Sequence, residues 1–120
     1  MKAIVCTEYG PPEVLRFTEV DKPSPKDDEV LIKVHAASIN FSDWAFMRGK
    51  PFAARLWSGL LRPKHNLLGA DIAGRVEAVG KNVVQFQPGD EVFGDISVHS
   101  RGSFAEYASA PANLLAPKPA

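Results

Sequence analysis

The chain has almost no cysteine, since Cys6 is the only one among its 120 residues. A single thiol cannot close an internal disulfide, and this cysteine usage predicts a reducing, cytoplasmic location. Net charge is absent as well, because 14 basic residues balance 14 acidic ones. No apolar run reaches the ~20 residues that a membrane-spanning helix needs. The sequence therefore predicts neither nucleic acid nor a membrane as a partner.

Two common kinds of binding motif are also missing. The three histidines, His35, His65 and His99, are scattered without the spacing typical of a metal site, and we expect them at the surface or at strand edges. No G-x-G-x-x-G segment lies between a strand and a helix, so the chain lacks the loop that holds a dinucleotide phosphate.

Short apolar segments make up most of the chain, and 9 glycines and 10 prolines separate them. Strands are predicted at 2–6, 14–20, 29–39, 71–80, 91–94 and 103–109. Helices are predicted at 42–48, with a cap at Asn40 or Ser42, and at 53–61, which Pro63 ends. So many short strands favour an all-β sandwich or barrel.

The predicted strand 71–80 alternates between apolar and charged residues. Ile72, Val76 and Ala78 are expected to point inward, because they share one side of the strand. Gly74 has no side chain, which suits a close backbone crossing or a β-bulge.

Residues 69–92 follow the pattern G-x-D-x-x-G-x-V-x-x-V-G-x-x-V-x-x-F-x-x-G-D-x-V. This pattern resembles the signature of the medium-chain dehydrogenase/reductase superfamily, and within it the zinc-free quinone oxidoreductase-like enzymes. The resemblance implies a GroES-like catalytic domain over residues 1–120, mainly β, forming a partly open β-barrel with two or three short helices. In that family a Rossmann cofactor domain follows, so we expect the chain to be a fragment that is inactive alone.

The resemblance also implies that zinc is absent. Metal-binding relatives read Gly-His-Glu where this chain has Gly69-Ala70-Asp71, and they carry a cysteine ligand at the position of Asn40. Zinc requires several thiolate, imidazole or carboxylate ligands around one point, and neither Asn40 nor Ala70 supplies a thiolate or an imidazole.

Asn40 and Phe41 are the candidate cofactor-binding residues. In the zinc-free enzymes that the chain resembles, an asparagine at this position lies against the nicotinamide end of NADPH, and its amide can both donate and accept hydrogen bonds. The alternative for Asn40 is a helix cap, which is compatible with the first role. Phe41 is expected either to pack on the nicotinamide or to belong to the core.

Ser42 and Asp43 match polar residues of the alcohol dehydrogenases. Ser42 corresponds to their proton-relay hydroxyl, but the next relay position, a histidine in those enzymes, is Ala45 here. Ser42 is therefore expected to cap the helix or to bind substrate. Asp43 is expected to orient Arg48 or Lys50, a structural role rather than a catalytic one.

Asp71 has two interpretations, because an ionised carboxylate beside an apolar strand is costly unless it is paired. It either ties the strand to a neighbouring loop through Arg75 or Arg101, or it forms a polar wall of the active site. In the family the corresponding acidic residue lies next to the zinc of the metal-containing members.

A hydrophobic pocket for a flat substrate is predicted from aromatic and aliphatic side chains, with core packing as the alternative for each. Its candidates are Trp44, Phe46, Trp57 and Leu60. The segment 49–66 is longer than a simple connection needs, so it is a candidate substrate lid. If that is so, replacing Trp57 with alanine changes the Michaelis constants of bulky substrates.

The resemblance implies transfer of hydride from NADPH to a quinone or an α,β-unsaturated carbonyl compound, without metal, in a parent protein expected to be a homodimer. The physiological substrate stays open. Three alternatives remain: a non-enzymatic GroES-like interaction module, an alcohol dehydrogenase-like enzyme acting on simple alcohols or aldehydes, and a zinc enzyme with substituted ligands.

Overall fold

The computed structural model describes residues 1–48, 67–97 and 102–119, and most of this part is β-structure. Its strands are β1 (Lys2–Cys6), β2 (Leu15–Glu19), β3 (Glu29–Ala36), β4 (Asp71–Val79), β5 (Glu91–Asp95), β6 (Tyr107–Pro111) and β7 (Leu115–Pro117). One α-helix, α1 (Phe41–Arg48), and two 3-10 helices, Pro12–Val14 and Ala112–Leu114, complete the described elements.

The strands form two open antiparallel sheets. The larger sheet has five strands in the order β6-β3-β4-β5-β7, and the smaller one pairs β1 with β2. Isolated bridges from Ala3 to Ala105 and from Val5 to Leu67 connect the β1–β2 ribbon to the rest of the domain. This architecture confirms the prediction of a mainly β, GroES-like, partly open barrel.

The main hydrophobic core lies against one face of the five-stranded sheet. Its buried members are Val30, Ile32, Ile72, Val76, Phe86, Val92, Ile96, Ala108, Ala110 and Ala112. Each fully buried valine, isoleucine or phenylalanine side chain stabilises the fold by about 1.5–3 kcal/mol relative to an exposed one. Ile72 and Val76 point inward as their alternation predicts. The prediction for Ala78 is wrong: Val79 packs against the core instead, because the register of β3 and β4 shifts between Leu31 and Ile32.

A second apolar cluster holds α1 against the β1–β2 ribbon. Cys6, Met47 and Leu68 are buried together, and Leu15 and Phe104 pack against them. This cluster fixes the position of α1, and therefore of the residues at its start.

Gly74 marks a close crossing of β4 over β3. The register of the two strands shifts between Val34 and Ala36, opposite Gly74 and Ala73. A Cβ atom at Gly74 would overlap the carbonyl oxygen of Lys33 and approach Cγ2 of Ile32 to 2.8 Å. The predicted close approach with a bulge is confirmed.

The boundaries of three strands show why local sequence did not fix them. The strand predicted at 29–39 ends at Ala36, because the chain leaves the sheet there towards α1. The strand predicted at 14–20 begins at Leu15, because residue 14 ends a 3-10 helix. The strand predicted at 103–109 begins only at Tyr107, because the backbone of Phe104 bonds instead to Leu68 and Ile4.

Several predictions fall on residues that the structure does not describe. The helix at 53–61, the lid at 49–66, His65 and His99 lie outside the described residues. His35 is described and exposed near the end of β3, as expected. Within the described residues, no helix is both long and apolar enough to cross a membrane.

Candidate active site

Two polar side chains from the β3–α1 connection meet the first residue of β4. The hydroxyl of Ser38 donates to Oδ2 of Asp71 at 2.8 Å, and Nδ2 of Asn40 donates to the same oxygen at 2.8 Å. Asp71 is partly buried, so its carboxylate gains partners where it has lost water. The connection and the strand are thereby joined at one charged oxygen.

Asn40 immediately precedes α1 and occupies its N-cap position. Its carbonyl oxygen accepts hydrogen bonds from the backbone N–H groups of Asp43 at 3.1 Å and Trp44 at 3.3 Å. Its own N–H donates to Oδ2 of Asp43 at 3.1 Å, the reverse bond of a capping box. The cap position predicted for Asn40 is confirmed, and its amide nitrogen faces Asp71 at the same time.

Asp43 is buried, with 4% of its surface exposed, and it lies under the first turn of α1. A carboxylate in this first turn also interacts favourably with the positive end of the helix dipole. The hydrogen bond to Asn40 agrees with the structural role that the sequence indicates for Asp43, although the predicted partner Lys50 lies outside the described residues.

An aromatic pair projects from the start of α1. Phe41 and Trp44 stack with ring centroids 5.5 Å apart, and they are 72% and 43% exposed. The guanidinium carbon of Arg48 lies 6.0 Å from the centre of the Trp44 ring, and the neighbouring Ile39 is 83% exposed. The core alternative for Phe41 is therefore wrong, and an apolar surface lies beside Asn40 instead.

One of the two partners predicted for Asp71 from the sequence, Arg75, is wrong. Arg75 does not contact Asp71; it pairs with Glu91 on β5 at 3.6 Å. Arg101 lies outside the described residues. The partners found are Asn40 and Ser38, and Ser38 is a site residue that sequence reasoning missed, because an exposed serine in a loop carries no motif.

A shallow cavity of about 540 Å³ opens next to Ser38 and Asp71. Ala73 and Phe93, opposite each other on β4 and β5, form an apolar part of its wall. Asp71 and Asp95, also opposite each other, form an acidic part. Its volume is within the range of small-molecule sites, but it is open to solvent.

The remaining predicted site residues are placed only in part. Ser42 and Phe46 lie within α1, and their proposed roles stay predictions. Trp57 and Leu60, predicted for the substrate pocket, lie outside the described residues.

The donor set at this point does not fit zinc. Asn40 offers an amide, and Ala70 presents a buried methyl group that is 1% exposed. In the described ranges no group of three or more histidine, cysteine, aspartate or glutamate side chains could hold a metal ion. A tetrahedral zinc site needs ligands that these residues do not provide.

Residues 26–120 match the family described as the alcohol dehydrogenase GroES-like domain. Because this match covers most of the chain, the protein belongs to that family, the GroES-like catalytic domain of the medium-chain dehydrogenase/reductases. The resemblance seen in residues 69–92 is thus confirmed.

Particular relatives lie among the quinone oxidoreductases. The chain is 40% identical to human quinone oxidoreductase over 114 residues, which is 92% of this chain and 31% of that protein. The quinone oxidoreductase from Coxiella burnetii superposes with a TM-score of 0.85 at 34% identity, covering 99% of this chain and 37% of the other. The Escherichia coli quinone oxidoreductase in complex with NADPH gives 0.83 at 27% identity, covering 99% of this chain and 33% of the other. The chain therefore spans about a third of the length of these relatives.

Proposed function

We propose that this domain forms the substrate side of an enzyme that transfers hydride from NADPH to a quinone or an α,β-unsaturated carbonyl compound without a metal ion. The enzyme would also contain a dinucleotide-binding domain, because the chain spans only about a third of the length of its relatives. The observation that carries the proposal is the fixed amide of Asn40, held by Asp71 beside the exposed Phe41–Trp44 pair.

Asn40 and Phe41 are the residues that would meet the nicotinamide end of the cofactor. NADPH, when bound, supplies the hydride. The stacked and exposed ring of Phe41 offers a flat apolar surface that an aromatic cofactor ring can cover. The Escherichia coli relative, solved with NADPH, supports this choice of cofactor.

Reduction of a quinone or an enone leaves negative charge on the substrate oxygen as the hydride arrives. Pre-oriented hydrogen-bond donors lower the energy of such a developing oxyanion, and removing one donor typically slows catalysis by about a hundredfold to a thousandfold. The amide of Asn40 is the candidate donor at the start of α1, and Ser42 stays the second candidate predicted from the sequence. A metal-free mechanism is supported by two residues at positions where metal-binding relatives carry zinc ligands. Asn40 has an amide there, and Ala70 has a methyl group.

The proposal can be tested on the complete reading frame that contains this chain. Oxidation of NADPH would be followed with a naphthoquinone, an alkenal and a simple alcohol–aldehyde pair as separate substrates, and total metal would be measured in the same preparation. We expect turnover with the quinone or the alkenal, and no stoichiometric zinc.

The Asn40→Ala variant supplies the residue-level test. We expect kcat/KM to fall by about a hundredfold, in line with the loss of one oxyanion donor. Asn82→Ala is a matched control, because Asn82 lies in an exposed turn and its side chain donates to Asp28 at the longer distance of 3.3 Å. Equal activity in both variants would contradict the role of Asn40, and activity confined to simple alcohols would favour the alcohol dehydrogenase-like alternative.

A further inference from the structure

Asp71 is the common acceptor of two hydrogen bonds that come from neighbouring residues of one connection. Both Ser38 and Asn40 donate to its Oδ2 atom at 2.8 Å. The bonds close loops of 33 and 31 residues between the end of β3 and the start of β4. An oxygen that receives two donors is fixed more firmly than one with a single partner, because each bond restricts the rotation of the carboxylate.

We propose that Asp71 and Ser38 are positioning residues for Asn40, holding its amide in one of its two possible orientations. An ionised carboxylate only accepts hydrogen bonds, whereas the two ends of an asparagine amide differ in that one donates and the other accepts. A half-turn of the Asn40 amide would bring its oxygen against Oδ2 of Asp71. The two oxygens would repel each other, so the amino group stays on the Asp71 side.

The backbone of Asn40 is fixed independently. Its N–H bonds to the buried Asp43 and its carbonyl accepts the first hydrogen bonds of α1. With the backbone held by the helix and the amide held by Asp71, the remaining freedom of the side chain is small. The orientation of Asn40 thus depends on a strand residue 31 positions away.

Hydrogen bonds to a charged group contribute about twice as much as those between neutral groups. Replacing Asp71 by asparagine keeps the shape but removes the charge, and it gives the side chain two ends that can each face Asn40. We therefore expect the hydrogens of the Asn40 amide to exchange with solvent at least about tenfold faster in Asp71→Asn than in the native protein.

The measurement is nuclear magnetic resonance of the intact protein with isotope-labelled asparagine side chains, the Asn40 resonance being assigned from Asn40→Gln. Ser38→Ala should accelerate exchange by a smaller factor, and Ser38→Thr, which keeps the hydroxyl, should restore the native rate. Glu77→Gln is the charge control, because Glu77 lies on β4, pairs with Lys22 at 3.6 Å and is exposed. Backbone spectra check that each variant is folded.

An exchange rate in Asp71→Asn within twofold of the native rate, in a folded protein, would overturn the proposal. If Asp71→Asn does not fold, the test uses Ser38→Ala, because Ser38 is exposed. An unchanged exchange rate of the Asn40 amide in that variant would overturn the role of Ser38.

The effect of Asp71 on catalysis rests on the function proposed above. A failure of that function can be distinguished from a failure of the positioning proposal. In the active enzyme, Asp71→Asn should lower kcat about tenfold while leaving KM for NADPH within about twofold, because a misoriented amide affects the reacting state more than binding. A protein without any NADPH oxidation would refute the proposed function, whereas the amide exchange rates would still test the positioning of Asn40.

Discussion

Replacing Gly69 with alanine should destabilise the domain by about 3–4 kcal/mol, for two separate reasons. Gly69 has φ of 108°, a backbone conformation that costs a residue with a side chain about 1–3 kcal/mol. A Cβ atom there would overlap the hydroxyl of Ser103 and lie 2.7 Å from the backbone nitrogen of Phe104. Forcing an extra carbon into such a space typically costs about 1–3 kcal/mol more.

Gly89→Ala separates the two contributions. Gly89 also has a positive φ, 98°, but a Cβ atom there would have no heavy atom within 4 Å. The control variant therefore suffers the backbone strain alone, and we expect a loss of about 1–2 kcal/mol. The free energy of unfolding of both variants would be measured by denaturant titration, followed by circular dichroism.

The difference between the two variants is the decisive quantity. Overlap with Ser103 and Phe104 predicts that Gly69→Ala loses at least about 1 kcal/mol more than Gly89→Ala. Equal losses would refute the reasoning, because they would show that the backbone around Gly69 can move aside without cost.

Two further outcomes concern stability. The hydroxyl of Ser103 is buried and has no hydrogen-bond partner among the described residues, so Ser103→Ala should leave stability unchanged or raise it by up to about 1 kcal/mol in a denaturant titration, and a loss would contradict this. The hydrogen bond from Lys118, assisted by the charge of Arg75, lowers the pKa of the Glu91 carboxyl below its ordinary value. Because the pKa of Glu91 is lower in the folded protein, the ionised carboxyl stabilises the fold at pH values above its ordinary pKa. This stabilisation is lost as the pH falls through the lowered pKa. Thermal midpoints should therefore fall less on acidification in Glu91→Gln than in the native protein, and parallel curves would contradict this.

Several strands could be predicted from their local sequence. β4 lies where its alternation of apolar and charged residues places it, and β1 lies where its apolar, β-branched residues place it. The sequence was less informative where a segment bonds to distant backbone. Residues 103–106 have the composition of a strand, yet Phe104 contacts Leu68 and Ile4 instead of extending β6.

The candidate site, too, could be predicted only in part. Asn40 and Asp71 could be selected from the family resemblance, and their hydrogen bond brings them together. Ser38 could not, because its role depends on the end of β3 and the start of β4 meeting in space. Arg75, the nearer basic residue in sequence, pairs with Glu91 on the adjacent strand, where the antiparallel register places the two opposite each other.

The most direct test of metal-free hydride transfer is to follow the hydrogen itself. The complete protein, treated with a chelator and shown to be free of zinc, would be given an alkenal and NADPH carrying deuterium at the transferred position. We expect the saturated aldehyde to contain one carbon-bound deuterium, since the hydride passes directly from cofactor to substrate. A product without deuterium, or activity that returns only when zinc is added, would contradict the proposed function.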